Sequence, residues 1–569
     1  MQSAPRRRFI RQLCSSSALA ATGIGIAACR TASTLDGLPL HFSFAHGVAS
    51  GDPLADRVIL WTRATPRDPD EERDIAIEWQ VALDPHMQRV VSGGSTLAGP
   101  QQDYTVKVDA TGLRPGQVYY YRFSSGGTQS PVGRTKTLPP ADVKQVRLAV
   151  FCCSNYPAGY FNVYADAARQ DHLDCALHIG DYIYEYEKDG YACGKAKALG
   201  RISDPPNLLL VLSDYRRRYA QYRGDADLQA LHAAMPFITV WDDHEFADDA
   251  WRDGAADHTP SEQGPFALRK AAAIRAYHEW MPIRAPDPAH PEIIYRSFDF
   301  GKLVSLHMLD TRITGRDQQV EMSSYMTADQ QFDAQRFRAD VSSPRRQMMG
   351  AQQMAWLEQS VARSRAAWQI VGQQVLMARM EYPLPVAQGQ MSCADFVALK
   401  EKACADPSCI DAQQAALLAA PTLPCYLDSW DGYQSERERL FDIMRRHDKN
   451  LVVLAGDTHN AWASDLHDRE RRQVGVEFAA PSVSSPGLEC AHPQEDPEQV
   501  ARMMEQLIAP LYYAQTSQRG YMLITATAAE VRCDWRFVDT VESRHYQAHT
   551  GRSLCTVAGR GRRCIEEIA

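Results

Sequence analysis

Four short polar segments, each set directly behind an apolar run that reads as a buried strand, constrain this chain of 569 residues more than any other feature. They are Cys153-Ser154-Asn155-Tyr156, Gly180-Asp181-Tyr182-Ile183-Tyr184, Trp241-Asp242-Asp243-His244-Glu245 and Gly456-Asp457-Thr458-His459. Together they carry a thiol, phenols, carboxylates and two imidazoles. Buried strand ends do not otherwise collect such groups, because an unpaired charge or polar atom inside a protein is costly. Thiolate, imidazole and carboxylate are the donor types that proteins use for metal ions, and these segments hold enough of them for a pair.

The order of elements brings the segments together. Apolar runs at 146–151, 173–179, 237–241 and 451–455 alternate with helix-like stretches at 161–169, 214–233 and 434–446. That alternation predicts crossover connections, a largely parallel sheet and an α/β fold. Ligands of such sheets bind outside the carboxyl ends of the strands, where all four segments fall. Residues 293–298 and 303–309, split by Gly301, predict a hairpin that ends at Asp310-Thr311-Arg312, and 368–375 predicts a strand ending near Gln373 and Gln374. Upstream, residues 41–138 show short alternating runs between turn signals and no helical periodicity, which predicts an all-β sandwich. Pro139-Pro140 marks the boundary. The catalytic unit is therefore expected over 141–545, with a loop-like, cysteine-containing insertion at about 382–430 and a tail at 546–569.

Charge and termini narrow the setting. A net charge of -9 and a pI near 6.0 leave no evident nucleic-acid-binding surface, which would need a basic face. Phosphate substrates remain open, because bound cations can supply the positive field locally. Residues 1–28 read as a removable signal: Arg6-Arg7-Arg8-Phe9-Ile10-Arg11 resembles the twin-arginine export motif, and the stretch at 13–28 is too short and too rich in small residues for a membrane span. The expected partner is the twin-arginine export machinery, and the destination is periplasmic, extracellular or the cell envelope. Ile26-Ala27-Ala28-Cys29 also matches a lipoprotein cleavage box, so a lipid anchor at Cys29 stands beside an ordinary cut. The 14 cysteines suit an oxidising compartment. Disulfides are expected to use Cys393, Cys404, Cys409 and Cys425 and, near the end, Cys555 and Cys564, in a connectivity that sequence does not give, zinc being less supported without paired C-x-x-C spacing.

The four segments, with Tyr215-Arg216-Arg217-Arg218-Tyr219-Ala220, Glu279-Trp280-Met281-Pro282 and Pro481-Ser482-Val483-Ser484-Ser485-Pro486, resemble the PhoD-like alkaline phosphatase and phosphodiesterase family of the binuclear metallophosphoesterases. The resemblance spans nearly the whole mature chain. It implies a metallophosphatase β-sandwich flanked by helices, behind an N-terminal domain similar to fibronectin type III. It also implies roles. Asp181 would be shared by two metals about 3.5–4 Å apart, the separation at which both contact one phosphoryl group. Cys153, Tyr184 and His459 would join Asp181 around one ferric ion, since thiolate, phenolate and carboxylate suit a trivalent charge. Asp243 and Asp457 stand where the wider superfamily has Asn and His. With Asp181 they form an oxygen-only sphere suited to calcium, magnesium or manganese, and the resemblance selects one or two calcium ions. Gln373, Gln374 or Asn155 could fill a remaining position, and Asn155 would also face the substrate phosphate. His244 would protonate the leaving group; its alternative is a structural pairing with Asp242 or Glu245. Arg312 would clamp a phosphate oxygen; its alternative is a salt bridge to Asp310 or Glu245.

The expected activity is exported, metal-dependent hydrolysis of a small phosphate monoester or diester, with metal-bound hydroxide attacking phosphorus in line and Asp181, His244 and Arg312 as catalytic residues. Diesterase action on phospholipid headgroups would use the same site. From another class, a cell-surface binding protein with a degenerate site is the alternative.

Overall fold

Strands that are apolar on both faces can be covered only by layers on both sides, and the fold supplies those layers. The computed structural model describes residues 41–329 and 331–568. In it Val146–Phe151, Cys175–His178 and Phe237–Thr239 lie side by side and parallel. Val304–Met308, Trp368–Gly372, Asn450–Ala455 and Gln473–Ala479 form a second parallel series. The first series belongs to a ten-stranded sheet and the second to a seven-stranded one. One continuous apolar cluster joins Leu148, Val150, Leu177 and Ile238 of the first to Leu306, Ile370, Val452 and Val476 of the second. At the edge where the strands end, Cys152 pairs with Ser482 and ties the two sheets together.

Helices close both outer faces. Val371 and Val453 pack against Met354 and Leu357 of the helix Gly350–Arg363 and against Leu440 and Met444 of Gln434–Arg446. Val163, Tyr164, Leu228 and Leu231, from Asn162–Ala168 and Ala226–Ala234, belong to the cluster of the ten-stranded sheet. The result is the β-sandwich flanked by helices that the family resemblance implies. The helix expected over 214–233 is two, Leu212–Arg223 and Ala226–Ala234. Asp225 causes the break: its side chain accepts from the backbone N–H groups of Asp227 and Leu228 and so starts a new helix.

Upstream, Ile75–Ala82, Val90–Ala98, Val118–Ser125, Thr128–Gln129 and Gly133–Lys136 make an antiparallel sheet of their own. Val48–Gly51, Arg57–Arg63 and Thr105–Thr111 instead extend the ten-stranded sheet beyond Phe237–Thr239. Backbone pairing thus crosses the Pro139-Pro140 boundary. At the other end of that sheet, Ala548–Val557 and Ile565–Glu567 add two strands from the final residues.

Residues 382–430 differ from expectation. They carry the helices Cys393–Ala405 and Ala412–Leu418, started by the side chains of Ser392 and Asp411, and a two-stranded ladder of Glu381–Pro383 with Thr422–Pro424 closes their base. These helices bury few side chains, only Phe396, Val397 and Leu399 in the first and none in the second, so neither carries the apolar periodicity of a packed helix. The expected disulfides are not formed: Cys393, Cys404, Cys409, Cys425, Cys555 and Cys564 are all free. Cys393 and Cys404 share one helix at opposite ends, Cys409 ends the turn Pro407–Cys409, and Cys425 follows the strand Thr422–Pro424. Among the described residues no helix is long and apolar enough to cross a membrane. The twin-arginine segment and Cys29 lie outside the described residues.

Candidate active site

The chain leaves its strands by tight left-handed turns. Cys153, Asp181, Asp457 and His459 have φ of 60, 54, 65 and 64°, a conformation uncommon for residues with a side chain and found where surrounding structure enforces it. Gly180 permits the contact between the Asp181 turn and the Trp241–Glu245 segment: a Cβ there would lie 2.4 Å from Cβ of Asp242. The buried carboxylate of Glu245 fastens the same turns together. It accepts from the backbone N–H of Asp181 at 3.0 Å and of Asp242 at 2.7 Å, and also from that of Tyr182.

One group of donors gathers at this edge from both sheets. The ligand atoms of Cys153, Asp181 and His459 lie within 4.8 Å of one another. Tyr184 joins them, its Oη 3.0 Å from Asp181 Oδ2 and 3.1 Å from His459 Nε2. Ser485 donates to the Tyr184 oxygen at 2.7 Å. His459 Nδ1 donates to the carbonyl of Pro486 at 2.8 Å, which leaves Nε2 unprotonated and aimed at the group, the tautomer a metal ligand needs. Burial is the main cause that keeps this ring neutral, with its pKa down to about 3. Burial likewise pushes Cys153, Tyr184 and Asp181 well above their ordinary values, and the neighbouring anions add to it. A cation among them would reverse that balance.

Two further groups adjoin the first; Asp243 belongs to both, and only the one with His244 shares Asp181 with the first. Ligand atoms of Asp181, Asp243 and His244 lie within 4.8 Å of one another, as do those of Asp242, Asp243 and Asp457. Arg312, completely buried, faces this group. Its Nε donates to Asp242, Nη2 reaches Asp457 at 3.0 Å and Asp243 at 3.7 Å, and Nη1 meets Asp428 at 2.7 Å. Burial opposes ionisation of Asp243, but Arg312 and then His244 outweigh it and hold this carboxyl down to about 2. Asp457 goes the other way, up to about 7, because burial together with Asp428 and Asp243 exceeds the pull of Arg312. Asp181 Oδ1, Asp243 Oδ1 and both ends of the Asn155 amide are buried without a hydrogen-bond partner. Orphaned oxygens of this kind fit a cation, and the mixed sulfur, nitrogen and oxygen donors of the first group against the carboxylates of Asp242, Asp243 and Asp457 fit two different ones.

His244 stands at the junction. Its Nδ1 is 2.8 Å from Glu185 Oε2, and the other oxygen of Glu185 accepts from the Asp248 backbone at 2.7 Å. The imidazole stacks on Tyr184 at 4.2 Å. Burial alone would lower the His244 pKa; Glu185, followed by Asp181 and Asp243, holds it well above the usual histidine value.

Several expectations meet different geometry. His244 pairs with Glu185, not with Asp242 or Glu245. Asp310 does not pair with the Arg312 guanidinium; its Oδ1 accepts from the backbone N–H of Arg312 and Ile313 and shapes the turn. The Gln374 amide donates to the carbonyls of Trp241 and Leu309, and Gln373 accepts from Trp430, so both amides serve the scaffold. Three residues of this site escaped the sequence reading: Glu185, the partner of His244, and Tyr426 and Asp428. Tyr426 donates to Asp457, and Asp428 balances both Arg312 and Arg316. Tyr426 and Asp428 follow a strand of only three residues, Thr422–Pro424, too short to stand out as an apolar run that would mark the position.

Known proteins match the chain over most of its length. The model of the PhoD-like phosphatase family matches residues 148–535, and that of its N-terminal domain matches residues 31–139. The chain is 34% identical over 515 residues to alkaline phosphatase D of Bacillus subtilis (strain 168), a match covering 88% of this chain and 78% of the relative. A solved structure of PhoD has a TM-score of 0.75 and 32% identity, with 93% of this chain and 92% of that one covered. The chain belongs to the PhoD-like phosphatases, hydrolases that act on phosphoric ester bonds.

Proposed function

We propose that this phosphoesterase is metal-dependent and exported by the twin-arginine route, with one ferric ion held by Cys153, Asp181, Tyr184 and His459 and calcium held by Asp181, Asp243 and Asp457. What supports the reading most is that Cys153, Asp181 and His459, from three strand ends and two sheets, bring their donor atoms within 4.8 Å while Asp181 also belongs to the neighbouring group. Bound there, the two cations supply Lewis acidity and a nucleophile at neutral pH.

The chain's own residues do the rest. Asp181 stands between the groups as the shared carboxylate. His459, locked by Pro486, offers Nε2 alone. His244 is held protonated by Glu185, which occupies Nδ1, so Nε2 carries the proton to the departing alcohol oxygen. Arg312 offsets the carboxylates of Asp242, Asp243 and Asp457 and can turn Nη2 toward a phosphoryl oxygen, with the Asn155 amide as a second donor to that oxygen. Glu245 keeps the two ligand turns in register.

Both monoesters and diesters, phospholipid headgroups included, suit a site of this kind. Assays of one preparation with a monoester and a diester, before and after calcium chelation, test the reading. Turnover of at least one substrate that falls on chelation and returns with calcium is expected. Turnover that is indifferent to chelation would remove the second cation from the account.

A further inference from the structure

Beside His244 the site has a wall of aromatic rings that the roles above leave unused. Tyr191 stacks on Tyr184, with centroids 6.3 Å apart and planes at 26°, and on His459 at 6.3 Å and 25°. Tyr186 lies 5.9 Å from Tyr191 and 5.3 Å from His244. The rings therefore run without a gap from the imidazole that faces the departing oxygen to Tyr191, which is 38% exposed.

The backbone beneath this wall is pinned. Arg218, itself buried, donates to the carbonyls of Tyr184, Tyr186, Pro205 and Asp204. Gly190 N–H closes a turn onto Glu187, Lys188 N–H bonds to Pro206, and the Tyr191 hydroxyl lies 3.4 Å from the carbonyl of Pro486. A single exposed aromatic is ordinary on a protein surface. An exposed ring on a fixed turn, laid against two proposed ligands and leading away from the leaving-group acid, is a preorganised binding face.

We propose that Tyr191, backed by Tyr186, forms a subsite that stacks a planar aromatic ring on the leaving-group side of the phosphate ester. The proposal rests on the phosphoesterase site described above and deepens it by naming the substrate class. Alkyl groups gain only area from such a wall. An aromatic ring gains stacking as well, roughly two- to tenfold in kcat/KM.

The test uses the full-length, metal-loaded enzyme with phenethyl phosphate and cyclohexylethyl phosphate, or their methyl diesters if diesters are the form turned over. The two alcohols are alike in acidity and bulk, so the ratio of kcat/KM isolates the ring face. Wild type should favour the phenethyl ester, Tyr191→Phe should keep that preference, and Tyr191→Ala should bring the ratio close to one. Three results overturn the subsite: equal turnover by wild type, an unchanged preference in Tyr191→Ala, or loss of preference in Tyr191→Phe. No turnover of either ester by the loaded enzyme would overturn the phosphoesterase reading of the site, and the subsite with it.

Discussion

Removing the Glu245 side chain should loosen the metal site without touching a proposed ligand. Its carboxylate is buried and accepts from three backbone N–H groups, those of Asp181, Tyr182 and Asp242. Glu245→Ala strands all three donors. Each buried donor left unpaired costs about 1–3 kcal/mol, and water entering the vacated space recovers part of that, so a net loss of roughly 3–5 kcal/mol is expected. Glu245→Gln keeps one oxygen and turns an NH2 toward a backbone donor, which predicts about 1–3 kcal/mol. The affected turns carry Asp181 and Asp243, so metal retention should fall in the same order as stability. Guanidinium unfolding followed by tryptophan fluorescence gives the stability change, and elemental analysis of the folded protein gives the metal content. A Glu245→Ala protein with the wild-type midpoint and full metal content would refute the claim that this carboxylate clamps the site.

Other expectations concern protons and colour. Glu185→Gln removes the largest influence raising the His244 pKa, so the alkaline limb of the kcat/KM profile should move to lower pH; an unmoved limb would mean that His244 is not the acid. Glu477, which accepts from the backbone N–H of Met377 and Ala378, is pushed by burial from 4.5 up to about 7. The folded chain keeps this proton where the unfolded chain has lost it. Stability is therefore full below about pH 4.5 and falls by about 3 kcal/mol as the pH rises to about 7. Unfolding midpoints at both ends of that window should converge in Glu477→Gln relative to wild type; parallel curves would contradict the assignment. Tyr184→Phe should lose the visible absorption of a ferric phenolate, and an unaltered spectrum would remove Tyr184 from the iron ligands.

The legible parts of the fold were those written in contiguous residues. The apolar run at 146–151 is the strand Val146–Phe151, and the charged amphipathic run at 434–446 is the helix Gln434–Arg446, because burial on both faces and burial on one face leave different patterns. The four polar segments sit at strand ends as expected, since that position follows from strand length and direction. What stayed hidden depends on long-range pairing. Nothing near Val48–Gly51 marks its alignment with Phe237–Thr239, and nothing at Tyr426 or Asp428 marks their approach to Asp457 and Arg312. The choice of Glu185 over Glu245 as the partner of His244 is set by which way each side chain leaves its turn, and spacing does not encode that direction. The cysteines taught the same lesson: nearness in sequence in the 382–430 segment did not make pairs.

If Asp181 is shared by two cations, its loss empties both sites at once, which elemental analysis and turnover of the same samples of purified wild type and Asp181→Asn measure together. Wild type should carry iron and calcium and hydrolyse an ester, whereas Asp181→Asn should lose both metals and the activity together. An Asp181→Asn protein that retains both metals and full turnover would contradict the claim.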